Sequence, residues 1–341
     1  MTDRELLTMM TEPSRRLIED IRRIPGDILI LGCGGKVGPS LAIQARRAIE
    51  AAGIRKDVIG ASLFDYEDAA PSMLEHGVRL IEADFFDPDA LRRLPDVPNI
   101  IFMVGRKFGT YKNQTTTWAI NAMLPCKICE RFPNANIVAF STTNIYGNYP
   151  VAGGGCVEDG ALNPIGEYSQ TCLGRERLME HFSRKNGTRM LFYRLNYAID
   201  LRYGVLYDIA RNILDGTPIN LDVPLFSCIW QGDANEYALR SLLHCDCPPN
   251  ILNVSGPETI STLWAANEMG KLLGREPVFS GSTENGLRAG CIFPNTTKLS
   301  QLMGYPTMAL RDMMQMVAEW IMAGGRSINA PTHFESTDGK Y

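Results

Sequence analysis

The segment from Asp27 to Gly38 carries the residue pattern with the clearest chemical meaning. A short apolar run, 28–31, ends in three glycines spaced three apart, at 32, 35 and 38. The first glycine permits a tight turn off a strand, the second lets the main chain approach a pyrophosphate, and the third lets a helix pack closely on the sheet. The first N–H groups of that helix bind phosphate without any charged side chain. The pattern predicts a dinucleotide site; a glycine-rich turn before an ordinary helix is the alternative.

The order of apolar runs and helix-forming segments predicts the fold class. The two alternate up to about residue 196, and the apolar runs are nearly continuous, which is typical of parallel strands covered by helices on both faces. We therefore predict a doubly wound, Rossmann-like α/β fold with ligands beyond the carboxyl ends of the strands. The later predicted strands are 57–62, 78–83, 99–104, 136–141 and 189–195, and the predicted helices are 12–24, 39–52, 113–131 and 167–186.

Beyond residue 197 the regular alternation is lost, which predicts a smaller, interwoven C-terminal lobe that binds substrate. We assign 1–196 to the dinucleotide-binding domain, expect segments near 222–256 to return to it, and assign 197–221 and 257–341 to the lobe. Helix 12–24 is expected at the sheet edge. The elements predicted beyond residue 197 are helices 203–214, 233–244, 261–273 and 308–323 and strands 226–230, 251–254 and 277–280.

Composition narrows the classes of protein. With 341 residues and 45% hydrophobic content, the chain suits one large or two modest globular domains. A net charge of -4 with scattered Lys and Arg argues against a nucleic-acid partner. No apolar stretch has membrane-spanning length and the first residues do not resemble a signal peptide, so we expect no membrane partner and a cytoplasmic location. Nine cysteines without paired zinc-ligand spacing indicate reduced thiols and no metal site.

Two further stretches, Phe140-Ser-Thr-Thr-Asn-Ile-Tyr-Gly147 and Pro164-Ile-Gly-Glu-Tyr168-Ser-Gln-Thr-Cys172, follow the glycine turn. With them the chain resembles the extended short-chain dehydrogenase/reductase family, the sugar-nucleotide epimerase and dehydratase group, over about residues 27–320. The resemblance implies that Thr142 is the catalytic Ser or Thr, which hydrogen-bonds a substrate oxygen. It implies that Tyr168 is the acid or base while hydride moves to or from a nicotinamide. A core tyrosine and a buried threonine are the alternative.

The chain departs from the family pattern four residues after Tyr168, where YxxxK requires lysine and Cys172 stands instead. The family lysine favours the phenolate by its charge and holds the nicotinamide ribose. A cysteine does neither well, so the change should weaken ordinary carbonyl–alcohol chemistry. Arg175, on the same helical face, and Lys107, after the fourth strand, are candidates for a replacement cation. A solvated arginine and a phosphate-facing lysine are the alternatives.

The resemblance and the glycine turn together imply the remaining contacts. The cofactor contacts are Gly32, Gly35, Lys36, Val37, Gly38, Ser62, Asp84, Phe85, Val104, Gly105, Lys107 and Asn121. The substrate contacts are Asn144, Asn196 and Arg288, of which the arginine matches the family residue that grips a sugar-nucleotide diphosphate; a surface arginine is the alternative. Ser62 stands where an acidic residue would bind the ribose hydroxyls of NAD, and the nearest acidic residue is Asp65. Residues 62–64 also lack the arginine that would bind the additional phosphate of NADP. NAD and NADP both stay open.

The first hypothesis is an NAD(P)-dependent oxidoreductase or epimerase that acts on a secondary alcohol of a sugar or sugar derivative. A catalytically degenerate NAD(P)-binding sensor or partner protein is the second, supported by Cys172. A third is other chemistry in the same cleft, with Lys107 or Cys172 as participant. Dehydration by the family route is not expected, because Thr143 and Asn144 replace its Asp-Glu pair. The resemblance also implies a homodimer through helices 113–131 and 167–186.

Overall fold

The predicted alternation of strands and helices is present in a computed structural model of the protein, which describes residues 1–64, 69–329, 332–336 and 338–340. The strands are β1 (Ile28–Leu31), β2 (Val58–Ser62), β3 (Arg79–Glu82), β4 (Asn99–Phe102), β5 (Asn136–Thr142), β6 (Met190–Leu195), β7 (Tyr197–Ile199), β8 (Ile219–Asn220), β9 (Leu225–Phe226), β10 (Cys228–Trp230), β11 (Asn250–Val254), β12 (Ile260–Ser261) and β13 (Phe279–Ser280). The helices are α1 (Asp3–Met10), α2 (Arg15–Arg23), α3 (Gly38–Ala51), α4 (Ala69–Glu75), α5 (Pro88–Arg93), α6 (Gln114–Trp118), α7 (Leu124–Arg131), α8 (Gly166–Asn186), α9 (Val205–Asp215), α10 (Gln231–Arg240), α11 (Thr262–Leu273), α12 (Thr283–Ala289), α13 (Thr297–Met303) and α14 (Leu310–Met322). A π-helical turn at Ala119–Met123 joins α6 to α7.

The central sheet has seven strands in the order β3-β2-β1-β4-β5-β6-β11. All of its pairs are parallel, and the strand order reverses direction between β1 and β4. Crevices form at such a switch point, beyond the carboxyl ends of the strands, because the helices that follow neighbouring strands run to opposite faces. The predicted doubly wound α/β class is confirmed.

Both faces of the sheet are buried, as a doubly wound fold requires. Ile28 and Ile30 of β1 belong to a core with α2, α3 and α10, whereas Leu29 and Leu31 belong to a core with α7 and α8. Successive side chains of a strand point to opposite faces, so one continuous apolar run supplies both cores. The expectation for helix 12–24 was wrong: α2 lies in the helical layer against α3 and α10, where its apolar stripe is covered, and not at the sheet edge.

A further hydrophobic core lies apart from the two that flank the sheet. It is built mainly from α9, α11 and α14, and Leu6 and Met10 of α1 pack into it. Short strand pairs, β7–β10, β9–β12 and β8–β13, border it. β11 pairs with β6 in the central sheet. The division of the chain near residue 196 stays a prediction.

Several short helices were absent from the sequence-based reading, namely α1, α4, α5, α12 and α13. Each has eight or fewer residues, too few for a clear helical period of apolar positions. The signal that could have found α1 is its capping box, in which Thr2 accepts from the Glu5 N–H and the Glu5 carboxylate accepts from the Thr2 N–H. Within the part of the chain described, no helix is both long and apolar enough to cross a membrane.

Helix α8 is held to the sheet by a buried ion pair. The Glu176 carboxylate accepts from Arg194 of β6 at 2.7 and 3.0 Å and from the Ser141 hydroxyl of β5 at 2.5 Å. The Arg194 guanidinium also donates to the Tyr146 hydroxyl at 2.6 Å. Both charged side chains are at most 4% exposed. Because buried charges need their partners, this network allows only one placement of α8 over the ends of β5 and β6.

Replacing Glu176 by alanine should leave the buried Arg194 charge without its carboxylate partner. We expect Glu176→Ala to lower the free energy of unfolding by about 3–5 kcal/mol in urea titrations. The matched control on the same helix is Glu180→Ala, whose ion pairs with Arg177 and Arg184 lie at the surface and which should cost less than about 1 kcal/mol. Equal losses for the two variants would contradict the assigned role of the buried pair.

Candidate active site

A cavity of about 410 Å³ lies at the carboxyl ends of β1, β4 and β5. Predicted residues from five separate regions of the sequence meet in its wall. The predicted site residues that line it are Gly32, Gly35, Lys36, Val37, Gly38, Gly105, Lys107, Thr142, Asn144, Tyr168 and Asn196. The glycine turn, the loop after β4 and the start of α8 therefore face one space.

The glycine turn has the geometry that its sequence predicts. Gly32 has a positive φ of +85°, and a Cβ on Gly38 would lie 2.2 Å from the Cys33 carbonyl oxygen. A Cβ on Gly35 would meet only the Gly32 carbonyl oxygen, at 3.7 Å, so this backbone is open to the cavity. No side chain caps the N-terminus of α3, which leaves its first N–H groups available to an anion. The turn fits a dinucleotide phosphate.

Lys36, inside the glycine turn, places a buried ammonium beside the cavity. Its Nζ has no hydrogen bond to any residue that the structure describes and lies 4.0 Å from the ring centre of Tyr203 and 4.7 Å from that of Phe108. Such contacts stabilise a partly desolvated cation. Burial lowers the pKa of Lys36 to about 8, although Asp208 of α9 opposes the shift. Neither Tyr203 nor Asp208 was predicted, because no local pattern links them to the glycine turn.

Arg175 is not solvated. Its guanidinium donates to the Asn121 carbonyl at 3.0 Å, the Asn121 side-chain oxygen at 3.2 Å and the Phe140 carbonyl at 2.6 Å. Asn121 also bonds the backbone N–H and carbonyl of Arg106, at 2.7 and 2.9 Å. Arg175 therefore lines the cavity and, through buried hydrogen bonds, joins α8 to β5 and to the helical turn that contains Asn121. Asn121, which Arg175 holds, in turn fixes the loop after β4 through its bonds to Arg106.

Tyr168, Cys172 and Lys107 form one group. Tyr168 and Cys172, one helical turn apart on α8, both line the cavity, and the Lys107 ammonium lies 6.0 Å from the Tyr168 ring centre. Burial raises the pKa of the Cys172 thiol, so the thiol supplies no charge at neutral pH. Burial, with a contribution from Lys36, lowers the pKa of Lys107 to about 8, which leaves it mostly protonated at pH 7. The loop lysine thus places a cation next to the tyrosine.

The hydroxyl and amide groups opposite Tyr168 are bonded to one another. Thr142 donates to the Asn144 side-chain oxygen at 3.1 Å and accepts from the Asn144 N–H at 3.2 Å. The Asn196 amide donates to the carbonyl and hydroxyl oxygens of Ser227, both at 2.9 Å, and accepts from Thr143 at 3.0 Å. These contacts fix the orientation of both asparagines in the cavity wall.

Other predicted contacts lie away from the cavity wall. These are Ser62, Asp84, Phe85, Val104, Asn121 and Arg288. Asp84 is exposed, whereas Phe85 is buried in the core beneath the sheet. Arg288 lies on α12 with 76% of its side chain exposed and pairs with Glu284 at 2.6 Å. Asp65 falls outside the described residues. Within those residues, no cluster of His, Cys, Asp or Glu could hold a metal ion.

The family model described as "NAD dependent epimerase/dehydratase family" matches residues 28–235, more than half of the chain. The chain belongs to the NAD dependent epimerase/dehydratase family. This confirms the resemblance drawn from the ordered motifs. No curated protein is a match to the chain in sequence.

Solved structures share the fold of this family member at low identity. UDP-glucuronic acid 4-epimerase from Bacillus cereus, in complex with NAD, has a TM-score of 0.69 and 18% identity and covers 87% of this chain and 99% of its own. UDP-glucose 4-epimerase from Thermotoga maritima, with UDP-glucose, has a TM-score of 0.70 and 15% identity over 87% of this chain and 99% of its own. MoeE5 in complex with UDP-glucose and NAD has a TM-score of 0.69 and 17% identity over 88% and 99%. These likenesses establish the fold.

The lowered pKa of Lys36 predicts a pH-dependent stability. An unfolded lysine titrates near 10.4, so between about pH 8 and that value the unfolded state binds more protons than the folded state. Stability from this group therefore rises with pH in that window. Relative to Lys36→Met, wild-type protein should gain on the order of 1 kcal/mol of unfolding free energy between about pH 7 and about pH 10.

Urea titrations at the two pH values measure this difference. The control is Lys112→Met, which removes an exposed lysine and should show no such pH-dependent difference from wild type. If wild type and Lys36→Met differ by the same amount at both pH values, Lys36 is an ordinary solvated lysine.

Proposed function

We propose that the protein is an NAD(P)-dependent oxidoreductase or epimerase that acts on a secondary alcohol of a sugar or sugar derivative. The observation that carries the proposal is the meeting of Tyr168, Thr142 and the Lys107 ammonium in the cavity that the glycine turn also lines. The solved structures of MoeE5 with UDP-glucose and NAD and of UDP-glucuronic acid 4-epimerase with NAD share this fold, which supports the coenzyme and the chemical class. The residues at the end of β2 leave NAD and NADP equally open.

The coenzyme would be held chiefly by main chain. The open backbone at Gly35 and the uncapped start of α3 suit its pyrophosphate, with the N–H groups of Lys36 and Val37 part of the same turn. We assign the remaining predicted cofactor contacts to its other parts: Gly105 and Val104 in the loop after β4, Ser62 and Asp84 near the ends of β2 and β3, and the main chain at Phe85, whose ring lies in the core. When bound, the nicotinamide supplies the hydride acceptor or donor.

Tyr168 is assigned the proton transfer at the substrate oxygen. Removing a proton from a secondary alcohol requires phenolate character, and a neighbouring cation favours the phenolate. The Lys107 ammonium lies 6.0 Å from the Tyr168 ring centre, near enough for its charge to favour the phenolate. Lys107 can therefore perform the electrostatic part of the missing family lysine from another loop. Thr142 and Asn144 present polar groups to the same oxygen, and Asn196 to the rest of the substrate.

A second candidate function is a coenzyme-binding protein without turnover. The neutral, buried Cys172 thiol favours it, because that thiol cannot supply the charge or the ribose contact of a lysine. The two candidates differ in whether Lys107 and Tyr168 support a reaction.

Kinetics of Lys107 and Tyr168 variants separate the candidates. Wild type and variants are given NAD⁺ or NADP⁺ and a panel of sugars, sugar acids and UDP-sugars; nicotinamide absorbance measures net oxidation, and chromatography of the sugars measures epimerisation. Tyr168→Phe and Lys107→Met should each lower kcat by about 10²-fold or more. Adding Cys172→Lys to Lys107→Met should restore activity, because a lysine one helical turn from Tyr168 returns the cation. Lys112→Met is the control for loss of an exposed lysine and should retain full activity.

The opposite pattern would support the second candidate. It consists of tight coenzyme binding, no turnover with any compound of the panel, and the same coenzyme affinity in Tyr168→Phe. Activity that survives Tyr168→Phe would remove the tyrosine from the mechanism.

A methyl group on Gly35 tests the coenzyme site. Gly35→Ala should fold normally, because its Cβ meets no atom closer than 3.7 Å, yet it should weaken NAD(P) binding at least about tenfold by occupying the phosphate approach. Calorimetric titration measures the affinity, and thermal unfolding monitors the fold. Gly38→Ala is the contrasting variant, in which the clash with the Cys33 carbonyl should lower the melting temperature. Unchanged affinity in Gly35→Ala would place the coenzyme elsewhere.

Assembly and compartment are also proposals. A homodimer through α6, α7 and α8 is supported by large apolar side chains on these helices and their π-helical turn: Trp118, Met123 and Leu178 are 43%, 47% and 39% exposed. Pairing two copies would remove that apolar surface from water. A cytoplasmic location is supported by the free thiol form of all nine cysteines.

A further inference from the structure

We infer that the substrate is a small sugar derivative that carries a carboxylate or phosphate group and no nucleotide. The inference rests on the proposed function and names the substrate class of the same site. Two observations carry it: the C-terminal segment occupies the space beside the cavity, and the Lys36 ammonium, which has no hydrogen-bond partner among the described residues, faces the cavity.

The C-terminal segment, residues 332–336 and 338–340, crosses the mouth of the site. Thr332 lines the cavity, and its carbonyl oxygen accepts from the Lys107 ammonium at 3.2 Å. Its N–H and hydroxyl donate to the Asp208 carboxylate at 2.8 and 2.5 Å. The segment thus links the loop after β4 to α9.

Packing anchors the same segment beyond Thr332. Phe334 is buried in the C-terminal core, with its ring centre 6.3 Å from that of Phe226. Gly339 lies against the start of α8 so closely that a Cβ on Gly166 would come within 2.3 Å of the Gly339 carbonyl oxygen. Tyr168 follows Gly166 by two residues. The segment is therefore packed against both sides of the cleft next to the proposed acid–base residue.

The space left between this segment and the loop at Gly290–Ile292 is about 40 Å³. A buried water needs about 10–15 Å³ of such space, so this space holds a few water molecules. A nucleoside diphosphate does not fit. The arginine expected to grip a sugar-nucleotide diphosphate, Arg288, lines neither this space nor the main cavity and is paired at the surface with Glu284. The space left for a substrate beside Tyr168 is the 410 Å³ cavity, which the nicotinamide must share.

The charge of the cavity wall selects an anion. Lys36 and Lys107 place their ammonium groups 4.7 and 5.7 Å from the centre of the same Phe108 ring. The nearby carboxylate, Asp208, is already hydrogen-bonded by Thr332. The Lys36 ammonium makes no hydrogen bond to the described residues. Anionic oxygens of a ligand would give this buried ammonium the partners that it lacks among the described residues.

The anionic oxygens could belong to the substrate or to the coenzyme phosphates. Loss of the Lys36 ammonium would raise the KM of the substrate in the first case and the Kd of the coenzyme in the second. We assign the Lys36 ammonium to the substrate, because the main chain of the glycine turn already serves the phosphates. Lys36→Gln should then raise the KM of an acidic sugar at least tenfold and leave the KM of a neutral sugar and the Kd of the coenzyme unchanged. Lys112→Gln is the control and should change none of these values. A loss of coenzyme affinity in Lys36→Gln would overturn the assignment.

Ligand comparison tests the substrate class directly. Full-length protein, saturated with whichever of NAD⁺ or NADP⁺ binds, is titrated by calorimetry with D-gluconate, D-glucuronate, glucose 6-phosphate, D-glucose, UDP and UDP-glucose. We expect at least one acidic sugar to bind ten times more tightly than D-glucose, and UDP and UDP-glucose to bind no more tightly than D-glucose. Tighter binding of UDP-glucose than of every acidic sugar would overturn the inference, as would equal binding of acidic and neutral sugars.

The same titrations separate this inference from the proposed function. Absence of coenzyme binding, or of any turnover, would refute the proposed function, whereas the order of ligand affinities in the coenzyme-free protein still decides the substrate class. Turnover of UDP-glucose with the expected Tyr168 dependence would retain the proposed function and refute the inference.

Discussion

Two adjacent buried charges on α8 are the constraint on which the site depends. An ion buried in a protein is tolerated only where its partners meet it with good geometry. Arg175 finds its partners on β5 and on Asn121, and Glu176 finds Arg194 and Ser141. These partners allow one position of α8 along and around its axis. Tyr168, two turns earlier on the same helix, is thereby brought to the cavity wall that Thr142 also lines.

The fixed position of α8 also determines where positive charge lies in the site. The residue one helical turn after Tyr168 is a neutral thiol, while the cation comes from the loop after β4, which Asn121 and Arg175 hold in place. Burial lowers the pKa of Lys107 without removing its charge at neutral pH. In the family pattern, one lysine four residues after the tyrosine brings the positive charge. In this chain Cys172 of α8 takes that position, and the charge beside Tyr168 lies on Lys107, in the loop after β4.

The C-terminal segment joins elements far apart in sequence around the same site. It meets the loop after β4 through Lys107, α9 through Asp208 and the start of α8 through Gly166. These contacts set the volume beside Tyr168, and the lysines set its charge. The shape and the charge of the cavity are therefore set by residues from distant parts of the chain.

The sequence by itself determined the doubly wound class, the glycine turn and the family, because these rest on local rules: continuous apolar runs, backbone freedom at Gly32 and close packing at Gly38. The short helices lacked enough periodic positions to be predicted. Only the tertiary structure decided that Arg175 is buried and hydrogen-bonded and that Lys107 lies beside Tyr168. It also decided that Arg288 is at the surface and that Thr332 donates to Asp208. Such contacts join residues distant along the chain, and no local pattern encodes which charges the fold brings together.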